Sequence, residues 1–353
     1  MSAKDGGERE ALAAASRAAR EALDGHESLA LTDVARKVQE RANKIGGGHF
    51  AGIRPGIDTS RSSMGANLAL YEDVVPLTSF GLGSRRLASL AVQQLAAGSR
   101  AVAVIDELES GLEPHRAVRL LSYLDSDEYS QVVVTTHSPV IVEQAPLESL
   151  AVVQNHEGAV SITSLGDASE LVQRLRRGRP SALLARRVIA AEGKTEQGVS
   201  LALLDAWDVE RVRSGLTTSA GEGVAVQDCI GGSEVPLRAA AMAAMGYDVV
   251  TLMDNDDRSV DRHVTAAEAA SVVVVRWDVG MNTEQQICSE LDADGLSKLL
   301  QLGVELRSTE DTVLADVNFA DPEHPVSSLQ VDDWIADGIT LGAARGRIAK
   351  AMV

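Results

Sequence analysis

Acidic side chains follow three apolar segments in the second half of the sequence, at spacings that could assemble a metal site. VIAAEGKTE carries Glu192 and Glu196, which lie one helical turn apart and can face one point. VVTLMDND carries Asp254 and Asp256 on alternate positions, and Glu284 opens a predicted helix after the apolar run VVVVRW. Packed carboxylates repel one another without a cation, and oxygen ligands suit Mg²⁺ or Mn²⁺, so the pattern predicts a metal site. The alternative is that these acids stabilise helix N-termini through the helix dipole.

Three segments in the first half could bind and hydrolyse a nucleotide. The apolar strand AVAVIDE ends in Asp106, where Mg²⁺ sits in nucleotide-binding sheets, and Glu107 could orient the attacking water. His137 ends the next apolar strand, VVVTTH, where it could sense a γ-phosphate. Gly81 and Gly83 of FGLGSRR open a predicted helix whose free amides favour phosphate. Each feature also has a purely structural explanation: a buried strand that ends in acids, a structural histidine, or a glycine turn.

The phosphate-binding loop of such enzymes is missing from the sequence. No GxxxxGK(S/T) pattern occurs, so there is no lysine-bearing loop to hold the β- and γ-phosphates. We therefore expect negligible ATP hydrolysis by this chain alone, and ATP as a ligand only where that loop comes from elsewhere.

Alternating apolar and amphipathic segments predict an α/β fold. In the first half we expect a helix from TSFGLGSRR to about Ala97, strands at 101–107, 131–137 and 150–155, and a helix at 114–124. Continuous apolar strands in this order predict a parallel sheet that is covered on both faces. The expected elements of the second half are strands 188–191, 248–253 and 272–276 and helices 196–206, 262–270 and 283–290.

The motifs of both halves resemble those of one protein family. FGLGSRR, DELESGLEP and TTHSP resemble the signature segment, the Walker B strand with its D-loop, and the switch histidine of the ABC-type ATPases of the OLD (overcoming lysogenization defect) family. EGKTE, DND and NTE, each after an apolar strand, resemble the Toprim domain of the same family. The resemblance covers about residues 60–155 and 186–353. It implies a partial ABC-type ATPase sheet followed by a Toprim domain, in a chain that begins partway through the ATPase domain.

The resemblance also implies roles for individual residues. Glu192 would be the catalytic-site acid of the first Toprim motif, and Asp254 would be a second catalytic residue. All five acids would be ligands of a two-metal site: Glu192, Glu196, Asp254, Asp256 and Glu284. Arg345, or Lys350 nearby, would be the late basic residue next to the scissile phosphate. Two positions depart from the family pattern, since Leu82 replaces a small polar residue and Arg345 replaces a lysine.

Composition limits how such a protein could hold DNA. The chain has 353 residues and a net charge of −18, so any phosphate contact needs a local basic segment or bound cations. The densest basic segment lies at 174–187, and its candidate DNA contacts are Arg174, Arg176, Arg177 and Arg179. Cys229 and Cys288 have neither zinc-ligand nor disulfide spacing, and no apolar signal or membrane segment occurs, so a cytoplasmic protein is expected.

The predicted organisation has four parts. They are an N-terminal helical segment (1–48), a partial ATPase domain without Walker A (49–163), an Arg-rich connection (164–187) and a Toprim nuclease domain (188–353). With DNA as substrate, the resemblance implies a Mg²⁺- or Mn²⁺-dependent endonuclease or nickase, in phage defence or DNA processing. We expect a homodimer or a partner chain that carries the missing phosphate loop.

Two alternatives differ in class. One is a Toprim enzyme of another kind, such as a primase or a topoisomerase. A topoisomerase needs a nucleophilic tyrosine on a separate domain, and none of the four tyrosines has an obvious one. The other is a regulatory subunit that completes an ABC-type ATPase through Asp106, Glu107 and the signature segment.

Overall fold

The computed structural model describes residues 14, 18, 29–46, 50–58, 67–97, 102–126, 131–166, 170–229, 231, 234–307 and 309–352. The chain divides into two compact units, Met1–Pro146 and Leu147–Val353. Both combine helices with strands, and parallel strand pairs occur in each, as the sequence predicts. None of the helices within the described ranges is both long enough and apolar enough to span a membrane.

The first unit is built from short strands and amphipathic helices. Its elements in chain order are α1 (Leu29–Gly46), β1 (Ile53–Asp58), β2 (Asn67–Glu72), β3 (Val75–Pro76), α2 (Leu82–Ala97), β4 (Val102–Ile105), α3 (Pro114–Leu124), β5 (Gln131–Val134) and α4 (Pro139–Gln144). Strands β1, β2 and β3 form an antiparallel sheet, and β4 pairs with β5 in parallel. Helix α3 has its predicted bounds because Pro114 is favoured in the first turn of a helix.

Helix α1 supplies one wall of the core of this unit. Ala35, Val38, Ala42 and Ile45 recur at helical spacing, and all are buried in a cluster that also contains Leu87. The predicted N-terminal helical segment is therefore present from Leu29 onward, and of its earlier part the structure describes residues 14 and 18, both helical.

Among the residues that the structure describes, other elements cover the parallel pair β4–β5 on one face only. Ile105 is buried in the core of the unit, whereas Val102 and Val104 are 59% and 77% exposed and Val133 of β5 is 48% exposed. The expectation of cover on both faces is therefore wrong for this pair. Continuous apolar residues indicate a strand, but they do not show that other elements cover both of its faces.

The third strand predicted in the first half has a different pairing from the expected one. Strand β6 (Ala151–His156) forms, but it pairs antiparallel with β7 (Ala159–Ser164) in the second unit. The connecting residues Glu157 and Gly158 have φ of 52° and 91°, the left-handed conformations of a tight hairpin turn. This turn returns the chain at once and makes β7 the antiparallel partner of β6.

The second unit contains a four-stranded parallel sheet and a group of C-terminal helices. Its further elements are α5 (Glu170–Gly178), β8 (Arg187–Ala191), α6 (Lys194–Arg213), β9 (Val224–Asp228), α7 (Val235–Ala244), β10 (Asp248–Met253), α8 (Asp261–Ala269), β11 (Val273–Arg276), α9 (Thr283–Glu290), α10 (Ala293–Arg307), α11 (Glu310–Ala320), α12 (Val331–Ala336) and α13 (Leu341–Met352). The strand order is β11-β10-β8-β9. The predicted connection at 164–187 lies inside this unit and contains α5.

The order of the strands determines which face each helix covers. The crossover from β8 to β9 runs in one direction along the sheet, and those from β9 to β10 and from β10 to β11 run in the other. Because such crossovers are right-handed, α6 lies on one face while α7 and α8 lie on the opposite face. The chain therefore leaves β8 and β10, which are neighbours, toward opposite faces of the sheet.

The C-terminal helices have a core of their own. Leu296, Val317, Trp334 and Ile348 are fully buried there. Arg347 lies in the same region, 5.5 Å from the ring of Trp334. Its guanidinium donates hydrogen bonds to the carbonyls of residues 317 and 324 and to the side chain of residue 318, so its charge is used to hold helix ends and loops together.

Candidate functional site

The acids predicted to act together lie where β8 and β10 end. Glu192 follows β8 and Asp254 follows β10, and the backbone N–H of Glu192 donates to the carbonyl of Leu252 at 3.0 Å. The carboxylate of Glu192 in turn accepts the backbone N–H of Asp254 at 2.8 Å. The chain leaves these two neighbouring strands toward opposite faces of the sheet. Open α/β sheets form their ligand crevice at the carboxyl ends of such a strand pair. Sequence position and topology thus bring both residues to one place.

Glu196 reaches the same place from the first turn of α6. Gly193 precedes the helix, and its N–H donates to Oε2 of Glu196 at 2.7 Å, as in a capping box. The side chain is folded back toward the end of β8, and Glu196 is only 5% exposed. A charged group is rarely buried to this degree unless hydrogen bonds or a cation compensate its charge.

Thr283 links Glu196 to Asp254, and it is a residue that sequence reasoning missed. Its hydroxyl oxygen lies 2.5 Å from Oε1 of Glu196 and 3.0 Å from Oδ1 of Asp254. The indole N–H of Trp277 donates to the same oxygen at 2.6 Å. Asn282 caps α9 so that Thr283 is its first residue, and Thr283 is fully buried. The capping pattern NTEQ is the sequence signal that could have found it, because this pattern fixes which residue begins the helix.

Electrostatic repulsion is visible within this group. Burial raises the pKa of Glu192, the amide of Asp254 opposes that effect, and the charges of Asp254, Glu196 and Asp256 raise it further. Burial likewise raises the pKa of Asp254; the hydroxyl of Thr283 lowers it, and Glu196 and Asp256 raise it. The charges of Glu196 and Asp256 are therefore close enough to oppose the ionisation of Glu192 and Asp254.

The other two predicted acids differ in their surroundings. Asp256 is exposed, and it acts on Glu192 and Asp254 through its charge. Glu284 is half-buried, and its charge acts on Cys288, one turn further along α9. Burial, followed by the charge of Glu284, raises the pKa of the Cys288 thiol to about 11.

Arg276 organises the loop that carries Asp254 and Asp256, and it too was missed from the sequence. Its guanidinium donates to the backbone carbonyls of Asp254 and Asp257, both at 3.3 Å. It also forms an ion pair with Asp261 at 2.6 Å. The signal was the single arginine that ends the apolar run of β11, at the edge of the sheet where the acids gather.

The two late basic residues hold helix ends. Arg345 donates from Nε and Nη2 to the carbonyl of Leu291, at 3.0 and 2.7 Å, just after α9 ends. Lys350 is exposed, and it donates to the carbonyl of Ala320 at the end of α11. Cations at these positions complement the partial negative charge of a helix C-terminus. Their expected role next to a phosphate stays a prediction.

The acids suit a hard divalent cation in chemistry and charge. All donors are oxygens, and a cation would relieve the repulsion that adds to burial in raising the pKa of Glu192 and Asp254. Within the described ranges, no group of three or more His, Cys, Asp or Glu side chains is already arranged to hold a metal ion. Both oxygens of Glu196 and one of Glu192 already accept hydrogen bonds. A cation would therefore share these oxygens with donors of the protein.

In the first unit, the predicted nucleotide-site residues follow β4 and β5. Asp106 accepts a hydrogen bond from the hydroxyl of Thr135 at 2.5 Å, and the N–H of Glu107 donates to that hydroxyl at 2.8 Å. Glu107 has φ of 46°, a conformation that few non-glycine residues adopt. His137 is exposed three residues after β5 ends.

Glu109 joins the segment after β4 to the segment that carries His137, and sequence reasoning did not identify it. Its carboxylate accepts the hydroxyl of Thr136 at 2.6 Å and the N–H of His137 at 2.7 Å. Burial raises the pKa of Glu109, but these hydrogen bonds outweigh it and hold the pKa below its usual value.

The helix expected to bind phosphate begins against the loop after β4. A Cβ on Gly83 would lie 2.2 Å from the carbonyl oxygen of Gly111, so the close approach requires glycine. Arg86 of the same helix donates to the carbonyls of Asp106 and Ser110, at 2.6 and 3.3 Å. Gly81 has open space around it. The three predicted ATPase segments are therefore neighbours in this unit.

The Arg-rich segment divides its cations between internal contacts and solvent. Arg179 donates to the carbonyl of Val226 at 2.8 Å. Arg176 and Arg177 lie in the last turn of α5, where the helix dipole favours cations, and Arg177 is exposed. The side chain of Arg174 lies outside the described part.

Comparison with known proteins concerns the first unit. Residues 2–143 match the family model described as "AAA domain, putative AbiEii toxin, Type IV TA system". This similarity confirms the ATPase-like character predicted for the first unit, at the level of an AAA- or ABC-type domain. No curated protein matches the sequence.

Proposed function

We propose that the second unit is a Toprim domain of the OLD type, which cleaves DNA phosphodiester bonds as a Mg²⁺- or Mn²⁺-dependent endonuclease or nickase. The observation that carries the proposal is the convergence of Glu192, Glu196, Asp254 and Asp256 where two neighbouring parallel strands end. Burial, and then the charges of neighbouring acids, raise the pKa of Glu192 and Asp254, and a divalent cation would compensate this accumulation of negative charge.

Glu192, Asp254 and Asp256 are the residues that would hold the cations, with Glu284 as a further predicted ligand. Bound divalent cations, of which two are expected, lower the pKa of a water nucleophile and stabilise a leaving oxygen. Glu196 stays close to its backbone partner Gly193 and supplies negative charge next to the ligands. Arg276 keeps the loop with Asp254 and Asp256 in place.

Cleavage of supercoiled plasmid in Mg²⁺ or Mn²⁺ tests this function. The wild-type protein should produce nicked or linear DNA, and chelation of the cations should stop it. Asp254→Ala should remove at least one ligand and abolish cutting while the protein stays folded. Asp248→Ala is the matched control, since Asp248 begins the same strand at the opposite end and is exposed. Equal cutting by folded Asp254→Ala and Asp248→Ala proteins would refute the site assignment.

A second candidate function follows from the family match of the first unit. We propose that this unit completes an ABC-type ATPase through Asp106, Glu107, His137 and the glycines of the signature segment, with a partner chain that carries the phosphate loop. Phosphate release from ATP by the chain alone should stay at background. Release should appear with such a partner and fall in Glu107→Gln. Steady release by the chain alone that disappears in Glu107→Gln would contradict the need for a partner.

A further inference from the structure

Four side chains in the carboxylate site meet at a single oxygen atom. The hydroxyl oxygen of Thr283 lies within hydrogen-bond distance of Glu196 Oε1, Asp254 Oδ1 and the indole Nε1 of Trp277. Thr283 is fully buried and Glu196 is 5% exposed, so water does not substitute freely for these contacts. The geometry of the two carboxylates thus depends on one hydroxyl.

The hydroxyl of Thr283 has one proton for two neighbouring carboxylates. A threonine O–H carries one proton and can donate it to one acceptor at a time. The indole N–H of Trp277 is a donor only, so it occupies a lone pair of the hydroxyl oxygen and directs the proton toward the carboxylates. Glu196 and Asp254 therefore compete for a single proton donor. A cation that attracts Asp254 would leave this donor to Glu196.

The geometry points to Thr283 as the positioning residue of the cation site, and to Trp277 as the side chain whose environment changes when a cation binds. This inference rests on the proposed metal site. Thr283 lies between Glu196 and Asp254, and it donates its one proton to either carboxylate but not to both at once. Since Glu196 is also fixed at its other oxygen by the N–H of Gly193, the position of Asp254 is the one that Thr283 adjusts.

Titration with Mg²⁺ alone tests the inference without DNA. Binding is measured by calorimetry, and tryptophan fluorescence is recorded in the same titration. Loss of a partner that orients metal ligands costs roughly 10–100-fold in metal affinity. Thr283→Val should show such a loss, whereas Thr283→Ser, which keeps the hydroxyl, should bind Mg²⁺ nearly as the wild-type protein does.

Thr251→Val is the matched control. Thr251 is also a fully buried threonine, on β10 three residues before Asp254, and within the described part of the chain its hydroxyl has no hydrogen-bond partner. Its replacement should leave Mg²⁺ affinity unchanged. Trp277→Phe removes the N–H that directs the hydroxyl proton of Thr283, so it should bind Mg²⁺ more weakly in calorimetry. It should also lose the fluorescence response, although Trp207 and Trp334 remain.

The possible failures are distinguishable. If the wild-type protein binds no Mg²⁺, the proposed metal site fails and this inference fails with it. If the wild-type protein binds Mg²⁺ and folded Thr283→Val binds it equally well, only the positioning role is wrong. If Thr283→Val does not fold, the inference is tested with Trp277→Phe instead. A fluorescence response to Mg²⁺ that persists in Trp277→Phe would overturn the assignment of Trp277.

Discussion

The carboxylate of Glu192 accepts the backbone N–H of Asp254 at 2.8 Å, so the residue that follows β8 holds the residue that follows β10. The same neighbour acts on Glu192 in two opposite ways. Its amide lowers the pKa of Glu192 and its side-chain charge raises it, and with burial the net result is a raised pKa. Two parallel strands are thus joined by a contact whose electrostatic balance is unfavourable without a cation.

Neutralising Asp254 should stabilise the cation-free protein. The folded-state pKa of Asp254 is raised, so the folded protein binds more protons than the unfolded chain between the ordinary and the raised pKa. The free energy of unfolding should therefore fall as pH increases through that window. Asp254→Asn should remove this decrease and add about 0.5–2 kcal/mol at neutral pH. Urea denaturation in a chelating buffer measures it, and a less stable Asp254→Asn protein at neutral pH would contradict the repulsion.

Replacing Thr251 by valine should also stabilise the second unit. The hydroxyl of Thr251 is fully buried, without a hydrogen-bond partner among the described residues. An unpaired buried hydroxyl loses its hydration without compensation, so Thr251→Val should add about 1 kcal/mol to the free energy of unfolding. Thr265→Val is the control, because Thr265 is exposed and donates to the carbonyl of Asp261. A Thr251→Val protein that melts earlier than the wild type would show that the hydroxyl has a partner in solution.

Glu109 should stabilise the first unit in a pH-dependent manner. Its pKa is lowered on folding, so its contribution is present above the ordinary carboxyl pKa and is lost as pH falls through the folded-state value. Glu109→Ala should lower the free energy of unfolding by about 1 kcal/mol at neutral pH, since the hydrogen bonds from Thr136 and His137 can no longer form. The difference should shrink in acid. A difference that stays constant with pH would mean that the carboxylate charge is not involved.

The arginines of the basic segment should separate into two groups. Replacing Arg174, Arg176, Arg177 and Arg179 by alanine should weaken DNA binding uniformly across sequences. For every arginine–phosphate interaction that is removed, the slope of log affinity against log salt should become shallower by about 0.9. Arg177→Ala, which removes an exposed cation, should show this effect alone. Arg179→Ala should chiefly lower the melting temperature, because Arg179 binds the carbonyl of Val226. If the fourfold variant keeps the wild-type DNA affinity and the wild-type salt dependence, DNA binds to another part of the protein.

Local sequence signals predicted several elements at their observed bounds. Helices α3 and α9 were predicted at 114–124 and 283–290, and in the structure Pro114 lies in the first turn of α3 and Asn282 caps α9. Strand β10 was predicted because its apolar run stops at the acids of the site. These signals act over a few residues, so they can be read without the rest of the fold.

Features that depend on tertiary contacts were not predictable in this way. Strand β6 was found, but its partner was not, because an apolar run does not show which strand will pair with it; in the structure β6 pairs with β7 across the turn at Glu157 and Gly158. The acids Glu192 and Asp254 were grouped through their positions after strands. Thr283 and Arg276 were missed although a capping pattern and an arginine after an apolar run mark their positions, because their contacts with Glu196 and Asp254 form only in the folded chain.

The backbone of Glu107 restricts which substitutions the first unit can accept. Its φ of 46° lies in the left-handed region, which glycine, asparagine and aspartate adopt at low energetic cost and in which β-branched residues are strained. In a saturation library, selection for folded protein should enrich glycine, asparagine and aspartate at this position. Selection for the proposed nucleotide function should enrich acidic residues instead. Aspartate tolerates the left-handed backbone and keeps the negative charge. We therefore expect it to be the replacement for Glu107 that preserves both the fold and the proposed nucleotide function.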